Sequence, residues 1–345
     1  MDGFAVRSED LPGTLRIVGE SAAGQPYERR LEPGCAAAIS TGAVVPDDAD
    51  AVVPIERVAR SANTVEIGRA VEPGAHIRPR GGDVAAGEVV VEAGSRFTPA
   101  RLAAAAAAGV ATVSCCRRPR VCVVATGSEL AAPGEELRPG QIYETNSLML
   151  GAALAAAGAE VVLEPPAADD ETLLRLALER GLACDVLVTS GGVSVGEHDL
   201  VRAVERELGV EEVFWRVSIK PGKPVAFGVC GDTLVFGLPG NPVSALVGCE
   251  LFVKPALRAL QGLDEALPRL EHGRLSVALR RNEERDEFVR ARVLADGDGV
   301  VLEPIVGQES HMIVRSSAAE ALVHVPRGNG ELAAGSIARW FRLGD

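Results

Sequence analysis

The chain has 345 residues, of which 47% are hydrophobic and only 3% aromatic, so its cores must consist mainly of Ala, Val and Leu. This length allows roughly two to four domains of about 100–200 residues each. The net charge of −13, without a basic tail or stripe, argues against nucleic acid and anionic membranes as partners.

The cysteines do not form a recognisable framework. Their number is odd, no CxxC occurs, and several lie inside apolar runs, so we expect neither disulfides nor a thiolate zinc site. The sequence has no apolar segment long enough to span a membrane and no signal-peptide pattern at its start. We therefore expect a soluble, cytoplasmic protein.

Residues 1–75 are predicted to form a β-rich domain. Short strand candidates lie between Gly, Pro and Asp clusters, at Leu15–Val18, Cys35–Ile39, Ala51–Ile55 and Thr64–Ile67. The opening residues, Met1 to Phe4, read as a polar loop. A domain rarely begins on an Asp-Gly turn, so this start predicts that a preceding segment is missing.

Residues 76–118 are predicted to link this domain to the next. The alanine run from Leu102 to Gly109 indicates a structural helix, with Thr98 as its N-cap and Pro99 in the first helical position.

Residues 119–262 alternate between apolar strands and helices, which predicts a doubly wound, mainly parallel sheet. The strand candidates are Arg120–Ala125, Glu160–Leu163, Val186–Thr189, Val213–Val217, Val225–Gly228 and Leu234–Gly237. The helix candidates are Ser147–Ala157 with Asn146 as N-cap, a segment after Asp169 and Asp170 that ends at Gly181, Leu200–Leu208, and Pro242 to about Leu260.

Ligands of such sheets bind beyond the carboxyl ends of the strands. The glycine-bearing loops Thr126–Glu129, Ser190–Gly192 and Pro239–Pro242 follow strands there, and glycine loops offer backbone N–H groups to an anion. Asn241 is predicted to cap the helix that Pro242 begins, leaving its positive end free for a phosphate. A tight connection, with glycines that serve only positive φ angles, is the alternative for the loop at Ser190.

Charged residues near these loops suggest an anion site. Lys220 and Lys223 stand on a stiff Pro-rich turn, which predicts a clamp for an anionic ligand, the alternative being a solvated turn. Acids next to turns or helix starts would form a Mg²⁺ site only if they converge in space; they are Asp2, Asp83, Glu144, Asp169 and Asp199. No nucleophilic triad, Walker A sequence or GxGxxG is present, and His198 fits a loop residue better than a base.

Residues 267–345 are predicted to form a small β domain. Strand candidates are Leu275–Leu279, Phe288–Leu294 and Val300–Leu302, and the turn Asp296–Gly299 joins the last two.

Taken together, the motifs resemble one known family. They are Met1-Asp-Gly-Phe-Ala-Val6, Ser40-Thr-Gly-Ala43, Gly81-Gly-Asp83, Val124-Ala-Thr-Gly-Ser-Glu129, Thr189-Ser-Gly-Gly-Val-Ser-Val-Gly-Glu197, Lys220-Pro-Gly-Lys-Pro224 and Gly237-Leu-Pro-Gly-Asn-Pro-Val-Ser244. The set strongly resembles the molybdopterin molybdenumtransferases, that is MoeA and the gephyrin E domain, and the resemblance spans essentially the whole chain.

The resemblance implies a MogA-like central α/β sheet, a C-terminal small β-barrel, and a shared-site homodimer. It implies insertion of molybdate into adenylylated molybdopterin, with release of AMP and help from Mg²⁺. The implied catalytic residues are Asp2, Asp199, Lys220 and Lys223, and the implied metal ligands are Asp2, Asp83, Glu144, Asp169 and Asp199. The implied substrate-binding residues are Thr41, Ser190, Gly191, Gly192, Pro239, Gly240, Asn241, Arg290 and Ser310, of which Arg290 and Ser310 would contact the oxyanion.

The sequence departs from the family at two places. The family carries roughly 40–50 further residues before the Met1-Asp-Gly turn, so the elongated N-terminal domain is expected to be incomplete. Arg216 stands where the family often has lysine, which keeps the charge but replaces a point contact with a planar fork. Open alternatives are adenylylation of molybdopterin, a scaffold or inactive paralogue, and tungsten in place of molybdenum.

Overall fold

The computed structural model describes residues 2–167, 170–192 and 200–344. The chain folds into two compact units, Met1–Val90 and Val91–Asp345. The first unit therefore includes the start of the segment predicted to be a link.

The first unit is built on a six-stranded mixed sheet in the order β4-β1-β3-β2-β6-β5. Its strands are β1 (Gly3–Val6), β2 (Gly13–Ser21), β3 (Cys35–Ile39), β4 (Ala51–Pro54), β5 (Ala59–Arg60) and β6 (Thr64–Ile67). All four predicted strands are present, but the prediction of a loop at Phe4 is wrong because β1 is a buried strand between β3 and β4. Gly3 permits this approach, since a Cβ there would lie 2.2 Å from the carbonyl oxygen of Val53.

The second unit opens with the predicted alanine helix and continues as the α/β domain. In chain order its elements are α1 (Pro99–Ala107), β7 (Arg120–Ala125), β8 (Leu130–Ala131), β9 (Ile142–Tyr143), α2 (Asn146–Ala156), β10 (Glu160–Leu163), α3 (Glu171–Leu182), β11 (Val186–Ser190), α4 (Leu200–Glu207), β12 (Glu211–Trp215), β13 (Ile219–Lys220), β14 (Ala226–Cys230), β15 (Thr233–Leu238), α5 (Pro242–Gly248) and α6 (Lys254–Leu260). Thr98 caps α1 as predicted, because its side chain accepts a hydrogen bond from the backbone N–H of Arg101.

The central sheet has the order β10-β7-β11-β15-β14-β12. Strands β10, β7, β11 and β15 run parallel, whereas β14 is antiparallel to both β15 and β12. Alternate residues of each strand enter different cores: Val121 and Val123 pack on the face with α2, α5 and α6, and Cys122 and Val124 on the face with α3 and α4. The predicted doubly covered, mainly parallel sheet is therefore confirmed.

The predicted helix from Pro242 to Leu260 is continuous but not regular. A π-helical turn, Cys249–Val253, joins α5 to α6. Asn241 occupies the N-cap position and Pro242 begins the helix, as predicted, but the Asn241 side chain makes no capping hydrogen bond. The end of the helix is also not fully free, because the backbone N–H of Val243 donates to the carbonyl of Ser310 at 3.0 Å.

The C-terminal region forms a closed barrel. Its elements are β16 (Glu271–Leu275), β17 (Leu279–Arg280), β18 (Asp286–Asp296), β19 (Gly299–Pro304), α7 (Ile313–Ser316), β20 (Ala321–Val325), β21 (Glu331–Leu332) and β22 (Ile337–Arg342). The order β18-β19-β16-β22-β20 closes through pairing of β20 with β18, around a core that contains the fully buried Trp340. The predicted strand Leu275–Leu279 is displaced, because β16 ends where that prediction begins, and β20 and β22 were missed.

Besides the hydrogen bond from Val243 to Ser310, strand pairing and side-chain packing attach the barrel to the α/β domain. Strand β13 pairs in parallel with β18, so that Lys220 lies opposite Glu287. In addition, Val247 of α5 packs with Leu322 and Phe341 of the barrel. In the described part of the chain, no helix is long and apolar enough to cross a membrane.

Candidate functional site

A cavity of about 740 Å³ lies at the carboxyl edge of the central sheet. Its lining includes Thr126, Gly127 and Glu129 after β7, the residues from Ser190 to Gly192 after β11, and those from Pro239 to Pro242 after β15. The three predicted glycine loops therefore meet, because neighbouring parallel strands end at the same edge. The volume lies in the usual range for small-molecule sites.

The glycines after β11 are required by their surroundings. Gly191 and Gly192 have φ angles of +99° and +65°, which disfavour residues with a side chain. A Cβ on Gly191 would lie 2.5 Å from the carbonyl oxygen of Thr126. A Cβ on Gly192 would lie 2.2 Å from the side chain of Val201. Gly191 and Gly192 must therefore be glycine for structural reasons, and both also line the cavity.

The loops after β11 and β15 touch each other. A Cβ on Gly240 would meet the Cα of Gly191 at 3.6 Å, and the backbone N–H of Gly191 donates to the carbonyl of Leu238 at 3.1 Å. Ser190 is almost fully buried, and its hydroxyl lies 3.5 Å from the carbonyl of Pro239. The exposed Asn241 completes this side of the cavity.

Asn146 is a cavity residue that sequence reasoning assigned a different role. It was predicted to be the N-cap of α2, but it lies within the helix, and the cap position belongs to Thr145. Its Nδ2 donates to the Ser190 hydroxyl at 2.9 Å and to the Gly240 carbonyl at 2.7 Å. The sequence gives no signal for this, since an Asn before an apolar helix is typical of a cap.

Glu144 lines the same cavity, but its carboxylate is already engaged. It is buried and accepts hydrogen bonds from the backbone N–H of Ser147, at 2.9 Å, and from the Ser147 hydroxyl. These hydrogen bonds stabilise the first turn of α2. Glu144 therefore has a structural role in addition to the predicted role as a metal ligand.

The predicted Mg²⁺ ligands do not form a cluster in the part of the chain that the structure describes. Two of them, Asp169 and Asp199, lie outside the described residues. Asp2 and Asp83 belong to the first unit, and Glu144 to the second. Among residues 2–167, 170–192 and 200–344, no group of three or more His, Cys, Asp or Glu side chains is arranged to hold a metal ion.

The predicted lysine clamp is not assembled at the cavity. Lys220 lines a separate opening with Arg280 and Arg281, and its ammonium group pairs with Glu287 at 3.0 Å. Lys223 is exposed and does not line the cavity, although the adjacent Pro224 does. The pairing of β13 with β18 draws Lys220 toward the barrel, which explains the difference.

The guanidinium of Arg290 is engaged by hydrogen bonds within the C-terminal region. It is fully buried, and its guanidinium donates to Gln308 Oε1, to the Ser316 hydroxyl at 3.0 Å and to the carbonyls of Gly307 and Glu309. Burial also lowers its pKa, although an arginine stays charged. The side chain orders the loop that follows β19, and the predicted oxyanion contact stays a prediction.

That loop brings the barrel to the cavity. Ser310 lies beside the start of α5 and binds it through its backbone carbonyl, and the neighbouring His311 and Ile313 line the cavity. Transfer by motif pointed to Ser310 but missed His311, whose exposed side chain is part of the cavity lining.

Asp2 and Thr41 come together in the first unit. The Asp2 carboxylate accepts hydrogen bonds from the Thr41 backbone N–H at 2.8 Å and from its hydroxyl at 3.0 Å. The backbone bond is the main cause that lowers the pKa of Asp2. Asp83 is exposed in a shallow opening of the same unit, lined by Ile77 and its neighbours up to Val84.

Comparisons with known proteins agree with this architecture along the chain. The family models that match are the MoeA N-terminal region (domain I and II) at residues 1–109, a probable molybdopterin binding domain at residues 122–259, and the MoeA C-terminal region (domain IV) at residues 272–342.

Individual relatives cover most of the chain. The molybdopterin molybdenumtransferase 2 of Mycobacterium tuberculosis H37Rv is 39% identical over 351 residues, which cover 97% of this chain and 86% of that protein. The molybdopterin molybdenumtransferase of Haemophilus influenzae is 41% identical over 266 residues, 76% of this chain and 66% of that protein. A crystal structure of the molybdopterin biosynthesis MoeA protein from Pyrococcus horikoshii superimposes with a TM-score of 0.80 at 32% identity, covering 100% of this chain and 86% of that one. The chain therefore belongs to the molybdopterin molybdenumtransferase family.

Proposed function

We propose that this protein inserts molybdate into adenylylated molybdopterin and releases AMP. Membership of the family supports the reaction class, since the relatives are named molybdopterin molybdenumtransferases. The observation that best supports this substrate is the cavity of about 740 Å³ with glycine loops in its wall. Its size suits a pterin joined to a nucleotide, and its glycine backbones allow phosphate oxygens to approach.

The proposed reaction has two balanced parts. Hydrolysis breaks the P–O bond of the phosphoanhydride, consumes one water and frees AMP. Condensation of molybdate with the two dithiolene sulfurs breaks two Mo–O bonds, forms two Mo–S bonds, and releases the two oxygens as water with protons from the thiols and the solvent. Gly192 and Gly240, which line the cavity, would bind the substrate through their backbone, and Asp2, held by Thr41, would orient the water or the metal.

Magnesium is part of the proposal as a counter-ion of the phosphates. It would neutralise the charge that develops on the anhydride oxygens as the P–O bond breaks. The described residues do not assemble a ligand set for the ion. Titration of the reaction with Mg²⁺ after treatment with a chelator tests its part, and activity that is unchanged by chelation would remove it.

We also propose a cytoplasmic homodimer. The family resemblance supports this assembly, in which Asp2 of one subunit would serve the cavity of the other. Light scattering coupled to gel filtration gives the mass of the assembly. Mixing an Asp2→Ala chain with a chain altered at the cavity should restore activity if sites are shared between subunits.

Molybdate-dependent release of AMP is the central test. The purified chain is incubated anaerobically with adenylylated molybdopterin, with and without molybdate, and AMP is quantified by chromatography. We expect AMP only with molybdate, and its loss in Asp2→Ala but not in the matched control Asp47→Ala, which removes an exposed carboxylate of the same unit. Adenylylation of molybdopterin with Mg-ATP would instead identify the protein as an adenylyltransferase.

A further inference from the structure

Asn146 joins two walls of the cavity that come from distant parts of the chain. Its amide nitrogen donates to Ser190, in the loop after β11, and to Gly240, in the loop after β15. The residue itself comes from α2, and only 8% of its surface is exposed. A single buried amide thus connects elements that carry three different parts of the cavity lining.

The orientation of this amide follows from its partners. The Gly240 carbonyl can only accept a hydrogen bond, so the group that faces it must be the NH₂ and not the oxygen. Asn146 Oδ1 is then buried and, among the described residues, has no hydrogen-bond partner. A buried acceptor without a partner costs about 1–3 kcal/mol.

That cost argues against a role in stability alone. An apolar residue of similar size would avoid the unpaired oxygen, but it would lose both donor bonds. Buried polar atoms without a partner break the usual rule for stable packing, and such exceptions concentrate at functional sites, where the placement of groups is favoured over stability. The feature that only the amide supplies is the fixed spacing between Ser190 and Gly240.

We propose that Asn146 is a positioning residue for the pterin nucleotide. By holding the loops after β11 and β15 together, it keeps their backbone groups at the separation that the ligand requires. The inference rests on the proposed function, since the ligand is the one named there. Asn146 acts through Ser190 and Gly240, and not by contact with the reacting atoms.

Binding of adenylylated molybdopterin to Asn146→Asp and Asn146→Ser tests this role. Aspartate keeps the shape but lacks the donors, and serine is too short to bridge both partners. Loss of the two donor bonds should raise the dissociation constant roughly tenfold or more, measured by equilibrium dialysis on folded protein. The matched control is Leu148→Ala, a substitution of an exposed residue on the same helix, which should bind like the wild type.

A double-substitution cycle separates positioning from general loosening of the fold. If Asn146 acts through Ser190, then Ser190→Ala should add little to the loss seen in Asn146→Ser. The KM for adenylylated molybdopterin should rise, while the KM for molybdate stays within about twofold. Loss that is additive, or that affects both KM values equally, would indicate a purely structural residue.

The outcomes distinguish this inference from the proposed function. If the wild-type chain neither binds adenylylated molybdopterin nor releases AMP, the proposed function fails and the inference fails with it. If the wild type binds and reacts, but folded Asn146→Asp and Asn146→Ser bind equally tightly, only the role of Asn146 is overturned. Should the aspartate variant fail to fold, the serine variant alone gives the same decision.

Discussion

Substitution of Lys254 by methionine is expected to destabilise the second unit strongly. Lys254, at the start of α6, pairs with Glu250 of the π-helical turn at 2.8 Å. Both residues are almost fully buried, and Glu250 also accepts a hydrogen bond from the backbone of Gly344. Methionine fills similar space but removes the cation that is paired with the buried carboxylate, and leaves it only the more distant charge of Arg258.

The expected loss is about 3–5 kcal/mol at pH 7, the usual cost of removing one partner from a buried ion pair. This is a large part of the roughly 5–15 kcal/mol that stabilises a folded protein. Desolvation is the main cause that raises the pKa of Glu250 above its ordinary 4.5. Folding then favours the protonated form, so the loss in Lys254→Met should shrink as the pH falls toward 4.5.

Urea denaturation at several pH values, followed through the fluorescence of the buried Trp340, measures this loss. Lys223→Met makes the same change at an exposed lysine and should alter the free energy of unfolding by at most about 0.5 kcal/mol. The double variant Glu250→Met with Lys254→Met should recover most of the stability. A loss below about 1 kcal/mol, or a double variant less stable than the single one, would refute the argument.

Two further substitutions test other contacts. The hydrogen bond from Arg117 is the main cause that lowers the pKa of Asp185 to about 2. The ionised Asp185 therefore stabilises the folded protein above pH 4, and this contribution disappears as the pH falls toward 2. Because Arg117 is largely exposed, we expect Asp185→Asn to cost only about 1 kcal/mol at pH 7 and to flatten the pH dependence of urea unfolding below pH 4; an unchanged profile would contradict this. Gly191→Ala should cost about 2–3 kcal/mol in the same assay, whereas Gly209→Ala, with a φ of +89° but open space, should cost about 1. Equal losses would show that contact with Thr126 does not matter.

The meeting of the glycine loops was predictable because it follows from local rules. Parallel strands carry their carboxyl ends to one edge, and Ser190 and Pro239 each follow an apolar strand. The pattern of apolar runs is enough to recognise those strands, and the neighbouring positions of β7, β11 and β15 in the sheet bring their loops into one cavity.

The roles of single polar residues were less predictable because they depend on distant partners. Asn146 has the sequence context of an N-cap residue. Its hydrogen bond to Gly240 depends on the loop after β15, which lies far away in the sequence. Lys220 meets Glu287 through a pairing between β13 and β18 that no local pattern indicates. Arg290 lies on the face of β18 opposite the barrel core that Val289 and Ala291 enter, and its burial depends on carbonyls supplied by the loop after β19.

The strand β13 limits how this protein can be divided. It lies between β12 and β14 in the sequence, yet its hydrogen-bond partners are in the barrel. A gene fragment that starts at residue 267 would encode a β18 with an uncovered stretch of edge, and such edges promote aggregation. Truncation or recombination after α6, where the α/β domain ends in the sequence, would separate β13 from the barrel strand β18 with which it pairs. The α/β domain and the barrel are therefore expected to be inherited, expressed and engineered as one piece.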